Sequence, residues 1–170
     1  KEAGRRCLVA FDIGTTTIAG YLLDGEDGRT LAVESRMNPQ AQYGADVIMR
    51  ANYALEHGTE ALSQCIREAV NEMLGVLAEN AGIDRRDIFQ VCVVGNTCMH
   101  HLFLGISPAS LVHAPYTPAV SERLVLHAED HGLAVQKKAE LILLPDIAGY
   151  VGADTCGGLL SLRLSRKEPH

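Results

Sequence analysis

The sequence lacks the features that mark membrane proteins and nucleic-acid-binding proteins. No apolar run approaches the roughly 18 residues needed to cross a bilayer, and the charged opening is followed by too short an apolar stretch for a signal peptide. Basic residues are the minority, with 15 Lys and Arg against 21 Asp and Glu. The net charge of −6 disfavours a sequence-independent grip on a phosphate backbone. We therefore expect a cytoplasmic protein with neither a membrane nor a nucleic-acid partner.

Cysteine pairs with the spacing of metal sites are also missing. The five cysteines are widely spaced and include no CxxC pair, which suits buried free thiols in a reducing compartment. Cys98, His100 and His101 lie close enough to be weighed as ligands. Cys98 and His101 at i and i+3 make only a pair, and no distant pair has the spacing to complete a tetrahedral site. We therefore expect no zinc or iron–sulfur site in this chain.

The 170 residues, 47% of them hydrophobic, suffice for one globular domain with a sizeable core. Short apolar, β-branched runs predict strands at residues 7–13 and 18–23, and alternation predicts a third strand at 29–37. Helical spacing then runs from Gly44 to Gly58, and a longer helix has Gly82 as its C-terminal cap.

The second half of the chain is predicted to add buried strands and their helices. Two strands are expected at residues 88–94 and 141–144, a short helix around Met99 to Phe103, another helix at 149–164, and short edge pieces at 122–126 and 134–136. The order βββαβαβα, with the two early helices counted as one region, predicts an α/β fold with a mixed sheet and helices on both faces.

The strongest local motif is DIGTTT at residues 12–17, which follows the first strand and opens a hairpin. Gly14 permits a sharp turn that presents backbone N–H groups, and the threonines add hydroxyl donors. A carboxylate beside them, Asp12, can hold a metal-bound water. The motif therefore predicts a site for a Mg-nucleotide phosphate, although Asp, Gly and Thr are also ordinary turn residues.

Neither a Walker loop nor a dinucleotide fingerprint is present. Residues 7–23 instead resemble the first phosphate motif of the ASKHA superfamily, which includes sugar and acetate kinases, heat-shock ATPases and actin. That superfamily builds two ribonuclease-H-like lobes around a cleft. The resemblance therefore implies that residues 1–170 form one ribonuclease-H-like, actin-like ATPase lobe. Because the chain begins without methionine and ends soon after a helical pattern, we expect it to be part of a longer protein.

Four further stretches narrow the resemblance to the reductive activators of corrinoid proteins, ferredoxin-like ASKHA ATPases of anaerobes. They are NPQ at 38–40 with GADV at 44–47, VGNTCMHHL at 94–102, APYTP at 114–118, and LP at 144–145 with IAGYVGADT at 147–155. Together the motifs span nearly the whole chain. The resemblance implies an ATPase that couples Mg-ATP binding or hydrolysis to reduction of a Co(II) corrinoid to Co(I).

The same resemblance implies partners outside this chain. These are a corrinoid protein, a ferredoxin domain that carries the iron–sulfur cluster, and a second ASKHA lobe. Residues 145–164 would start the helix that connects the lobes, and the isolated lobe would be inactive. Two alternatives stay open: a non-catalytic docking module, including a homodimer, and the lobe of a small-molecule kinase of the same superfamily.

Site residues follow from the resemblance. Asp12 would orient a Mg-bound water, and the loop residues Gly14, Thr15, Thr16 and Thr17 would contact phosphate. Asp154 is the candidate for positioning the attacking water, with a solvated helix carboxylate as its alternative. Asp146, directly after the last strand, is a rival for the cleft position.

Residues 95–97 end a predicted buried strand, and ligands of open α/β sheets bind beyond the carboxyl ends of strands. Gly95, Asn96 and Thr97 are therefore candidate phosphate contacts. Asn96 is equally suited to cap the following helix.

Overall fold

The computed structural model describes residues 6–112 and 123–145. In these ranges the strands are β1 (Cys7–Ile13), β2 (Thr17–Asp24), β3 (Thr30–Met37), β4 (Ile88–Gly95), β5 (Leu124–His127) and β6 (Glu140–Pro145). The helices are α1 (Val47–His57), α2 (Glu60–Ala81), α3 (Thr97–Leu104) and α4 (Ala109–Val112). No helix in the described ranges is long and apolar enough to cross a membrane.

The strands form one mixed sheet in the order β3-β2-β1-β4-β6-β5. The first three strands make an antiparallel meander, β1, β4 and β6 run parallel, and β5 pairs antiparallel with β6 at the far edge. Ile13 lies opposite Gly95, and Gly95 lies opposite Pro145. The three parallel strands therefore end side by side, at the position where an open α/β sheet binds ligands.

The two faces of the sheet carry separate apolar clusters because successive side chains of a strand point to opposite sides. The odd-numbered residues of β1, such as Val9 and Phe11, pack with apolar side chains of α1, α2 and α3. Leu8 and Ala10 instead join a second buried cluster with residues of β4 and β6. The described helices lie on the first face, and the helix predicted at 149–164 falls outside the described residues.

Helix boundaries follow local signals in the sequence. The side chain of Asp46 caps α1 by accepting a 2.8 Å hydrogen bond from the backbone N–H of Met49. Gly58 follows the last residue of α1, as its position in the sequence predicts. Gly82 adopts the left-handed conformation (φ 69°) directly after α2 and donates its N–H to carbonyls of the last turn. The predicted strands and helices before Gly95 are therefore confirmed.

The region around β5 differs in part from the prediction. A strand occurs near the predicted edge piece at 122–126, but residues 134–136 do not form one. The side chain of Asn71, on α2, accepts from the N–H of Ala134 at 2.8 Å and donates to the carbonyl of Gly132 at 2.5 Å. The N–H of Ala134 thus bonds a helix side chain, while the N–H of Gln136 bonds the Ile88 carbonyl of β4 at 3.2 Å. Residues 134–136 therefore make isolated hydrogen bonds and do not form a strand.

The cysteines follow the sequence prediction only in part. Cys7, Cys65 and Cys98 are free thiols, with Cys7 and Cys98 buried, as expected. Cys92, on the second face of the sheet, is disulfide-bonded, so the expectation of free thiols is wrong for this residue.

Candidate functional site

The candidate site begins at the loop between β1 and β2, where three consecutive carbonyl groups are bound by other segments. The Gly14 carbonyl accepts from the side-chain amide of Asn38 at 2.9 Å. Arg50 donates from Nη2 to the Thr15 carbonyl at 2.6 Å. The Thr16 carbonyl accepts from the backbone N–H of Asn38 at 2.8 Å. Asn38 and Arg50 therefore anchor the loop to the rest of the protein through its carbonyl oxygens.

These contacts orient the N–H groups of the same loop. In a trans peptide the N–H that follows a carbonyl points the opposite way. The N–H groups of Thr15, Thr16 and Thr17 are therefore directed away from Asn38 and Arg50. Successive N–H groups that point to one side are a feature that can bind an anion. Thr16 and Thr17 are exposed, and Gly14 and Thr15 are half-buried, so the surface that the loop presents is accessible.

Asp12 lies two residues before the loop and is half-buried. It pairs in register with Ala19 of β2 and Val94 of β4. Strand alternation places it on the same face as Leu8 and Ala10, opposite the face that carries α1 to α3. The sheet thus brings the carboxylate and the loop together at the carboxyl end of β1.

Asn38 and Arg50 hold the loop, and sequence reasoning assigned no role to either. Asn38 is 1% exposed, and its Oδ1 accepts from the N–H of Gln40 at 2.9 Å while its amide binds the loop. Arg50 is fully buried. The sequence does contain a sign that Arg50 is buried, because Val47, Arg50 and Ala54 share one helix face and Ala54 is buried. An arginine on a buried stripe needs internal partners.

Residues 95–97 join β4 to α3 beside the same loop. A Cβ at Gly95 would lie 3.1 Å from the Ile13 carbonyl oxygen and 3.3 Å from the Met99 Cβ, so glycine allows the close approach of α3 to β1. Asn96 caps α3, with its Oδ1 accepting from the Met99 N–H at 2.9 Å, as the cap alternative predicts. Asn96 and Thr97 are half-buried. Their contact with phosphate stays a prediction.

Helix α3 contains Cys98, His100 and His101, and all three residues are buried in the protein interior. Burial raises the pKa of the Cys98 thiol to about 11. Burial, followed by the neighbouring His101, lowers the pKa of His100 to about 4, and its Nε2 has no hydrogen-bond partner. His101 Nδ1 lies 2.8 Å from the Thr97 carbonyl, which can only accept. Across residues 6–112 and 123–145, no three His, Cys, Asp or Glu side chains are grouped to hold a metal ion.

Asp146 and Asp154, the two candidates for positioning an attacking water, lie outside the described residues. The structure therefore brings together Asp12, the loop at 14–17 and residues 95–97, at the shared end of β1 and β4.

The fold and this edge define the class of protein: an α/β domain with a mixed sheet, in which β1 ends at a Gly-Thr loop and β4 ends at a capped helix. Residues 7–167 match the family described as the RACo middle region, and the chain belongs to this family.

Two relatives extend the comparison. The chain is 38% identical over 162 residues to a protein named corrinoid activation enzyme RamQ from Eubacterium limosum, covering 94% of this chain and 27% of that protein. A solved structure titled reductive activator for corrinoid, iron-sulfur protein matches with a TM-score of 0.82 and 34% identity, covering 99% of this chain and 27% of that one. The chain thus spans about a quarter of the length of each relative.

Proposed function

We propose that this chain is one lobe of an ATP-dependent reductive activator of corrinoid proteins. The names of the two relatives, a corrinoid activation enzyme and a reductive activator for a corrinoid, iron-sulfur protein, support a role in corrinoid activation, and the family match covers nearly the whole chain. In the longer protein, Mg-ATP binding or hydrolysis would be coupled to reduction of Co(II) to Co(I) in a corrinoid protein partner. The electron would come from an iron–sulfur domain outside this chain.

The strand order supports the proposal of a ribonuclease-H-like lobe. An antiparallel meander, β3-β2-β1, continues through parallel strands β4 and β6 that are reached over helices. Such a lobe shares its nucleotide with a second lobe across a cleft, so the carboxyl ends of β1 and β4 would face that cleft. The second lobe would belong to the remainder of the longer protein, and residues 145–164 of this chain would start the helix that leads to it.

The observation that carries the nucleotide proposal is the inward anchoring of the loop carbonyls at 14–16. It leaves three N–H groups directed the other way, and a phosphate group is the ligand that such a nest fits. Asp12 supplies the carboxylate that a Mg-bound water requires. The residues at this edge therefore fit Mg-ATP, whose phosphoanhydride bond would supply the free energy.

The roles of the chain's own residues follow from this arrangement. The N–H groups of Thr15 to Thr17, with the threonine hydroxyls, would bind phosphate oxygens. Asp12 would orient a water bound to the metal. Gly95, Asn96 and Thr97 would form the opposite side of the phosphate site, at the start of α3. Asp154, with Asp146 as its rival, would position the attacking water.

The decisive experiment measures Mg-ATP turnover by the full-length protein, under anaerobic conditions, with and without a corrinoid protein. Asp12→Ala is compared with Asp130→Ala, an exposed carboxylate in the turn after β5. We expect turnover that rises with the corrinoid partner, falls about 100-fold or more in Asp12→Ala, and stays unchanged in Asp130→Ala.

Other outcomes separate the alternatives. Turnover that is equal in Asp12→Ala and the wild type would contradict the site assignment. Turnover driven by a small molecule and indifferent to corrinoid proteins would favour the kinase alternative. Absence of turnover and of any nucleotide effect on partner binding would leave a docking or dimerisation module, with the DIGTTT segment acting only as a turn.

A further inference from the structure

Arg50 is a buried cation whose hydrogen bonds go to backbone carbonyls and not to carboxylates. It has 0% exposure and lies in the first turns of α1. Nε donates to the Gly44 carbonyl at 2.7 Å, Nη2 to the Thr15 carbonyl at 2.6 Å, and Nη1 approaches the Met99 sulfur at 4.0 Å. One guanidinium thus joins the β1–β2 loop, the segment before α1, and α3.

Burial of this group has a cost that its contacts must offset. Desolvation lowers the pKa of Arg50, yet an arginine side chain stays protonated in proteins. A buried cation needs hydrogen-bond acceptors for its donors. Here two short bonds to carbonyl oxygens serve that purpose, and the planar fork makes both at once. A lysine ammonium in the same place has no comparable fixed geometry.

The carbonyl of Thr15 is the middle of the three anchored carbonyls in the loop. Asn38 holds its neighbours, the carbonyls of Gly14 and Thr16. The peptide between Thr15 and Thr16 is thus fixed by Arg50, and the Thr16 N–H is fixed with it. Without Arg50 this peptide loses the hydrogen bond that holds the Thr15 carbonyl.

We infer that Arg50 is a positioning residue, which holds the Thr15–Thr16 peptide with its N–H turned toward phosphate. This inference rests on the proposed nucleotide function and adds a residue that does not itself touch the ligand. Its position, 35 residues after Thr15, makes the shape of the loop depend on the first turns of α1. Asn38 and Arg50 have complementary roles, because Asn38 anchors the carbonyls of Gly14 and Thr16 and Arg50 anchors the carbonyl between them.

The test uses the full-length protein with three variants. Arg50→Met keeps an apolar stem near Met99 and removes the fork, and Arg50→Lys keeps the charge without the fork. Arg67→Met is the matched control, because Arg67 also donates from Nε to a backbone carbonyl, that of Phe103 at 2.9 Å, but lies on α2 beside His131. Each is assayed well below its Tm for the kcat and KM of Mg-ATP, and for hydrogen exchange at the Thr16 amide in the presence of saturating Mg-ATP, where the proposed phosphate contact protects this N–H.

We expect Arg50→Met to raise the KM for Mg-ATP about tenfold or more, equivalent to about 1.4 kcal/mol of binding free energy, with a smaller change in kcat. Arg50→Lys, the conservative variant, is expected to give an intermediate KM. Both should speed hydrogen exchange at Thr16. Arg67→Met is expected to lower Tm while leaving KM and Thr16 exchange at wild-type values.

Two results would overturn the inference. One is a KM in both Arg50 variants equal to that of the wild type. The other is a KM that rises as much in Arg67→Met, since a general loss of stability would then explain it. If Arg50→Met fails to fold, Arg50→Lys decides the question alone. Failure of the proposed function is distinguishable, because the wild-type protein itself would then neither bind nor turn over Mg-ATP.

Discussion

The side-chain amide of Asn38 donates a 2.9 Å hydrogen bond to the carbonyl oxygen of Gly14, across 24 residues of sequence. Asn38 is 1% exposed, and its Oδ1 accepts from the N–H of Gln40. The amide N–H and the amide oxygen of Asn38 thus bond two different segments, with the N–H on Gly14 and the oxygen on Gln40. The end of β3 is tied in this way to the loop that follows β1.

Asn38→Asp should therefore loosen the loop while keeping the shape of the side chain. A carboxylate can still accept from Gln40, but it cannot donate to Gly14, and it places a buried charge beside a carbonyl. We expect a loss of about 1–3 kcal/mol in stability, seen as a lower Tm of the full-length protein and faster hydrogen exchange at residues 14–17. Asn52→Asp, at an exposed position of α1, is the control. Equal Tm values for the two variants would contradict the anchoring role.

Gly44→Ala should disturb the start of α1. A Cβ at Gly44 would lie 2.7 Å from the backbone N of Arg50 and 2.8 Å from the Met49 Cβ, so the first turns of the helix would have to move. Overpacking of this kind costs about 1–3 kcal/mol. Gly58→Ala is the comparison, because its Cβ would meet nothing within 4 Å and only its positive φ of 89° is unfavourable. We expect Gly44→Ala to lower Tm more than Gly58→Ala does. A larger decrease in Gly58→Ala would contradict the packing argument.

The elements that the sequence predicted correctly are those with complete local signals. The apolar run at residues 7–13, the helical spacing that stops at Gly58 and the stop at Gly82 each need only neighbouring residues to act, and each appears in the structure. Residues 134–136 lack such a signal. The N–H of Ala134 donates to Asn71 and that of Gln136 donates to the Ile88 carbonyl, both distant in sequence, and no local pattern carries those contacts.

The candidate site likewise combines a feature that the sequence predicts with a contact that it does not. The turn at the DIGTTT segment could be predicted from its residue types and its place after a strand, and its contact with phosphate stays a prediction. The contact of Arg50 with Thr15 depends on how α1 packs beside the hairpin. Sequence spacing shows that Arg50 shares a helix face with buried residues, but it does not show which carbonyl the guanidinium reaches.

His100 predicts a pH dependence of local stability. Its pKa in the folded protein is about 4, against an ordinary value of 6.5, because burial disfavours the charged imidazole. The unfolded chain therefore binds a proton first as pH falls, and the contribution of His100 to stability is present above pH 6.5 and lost between 6.5 and 4. Within this window the opening free energy should fall by up to about 1.4 kcal/mol per pH unit.

The measurement is hydrogen exchange of α3 and β4 amides in the full-length protein between pH 4 and 7. His100→Gln, which does not titrate, is expected to flatten the slope of opening free energy against pH. His57→Gln, at an exposed histidine of α1, is the control and should keep the wild-type slope. A wild-type slope in His100→Gln would show that another group causes the loss.

The last prediction concerns the 170-residue chain without the remainder of its parent protein. The described residues provide one phosphate loop and the start of α3, and the proposed site is completed by a second lobe. A single anion nest replaces few of the hydrogen bonds that phosphate makes with water, so little net binding free energy remains. In titration calorimetry we expect Mg-ATP to bind this chain with a Kd weaker than about 1 mM, which corresponds to about −4.1 kcal/mol, and to bind the full-length protein more tightly. Submillimolar affinity that survives Asp12→Ala in the short chain would mean that the nucleotide occupies a site other than the β1–β2 loop.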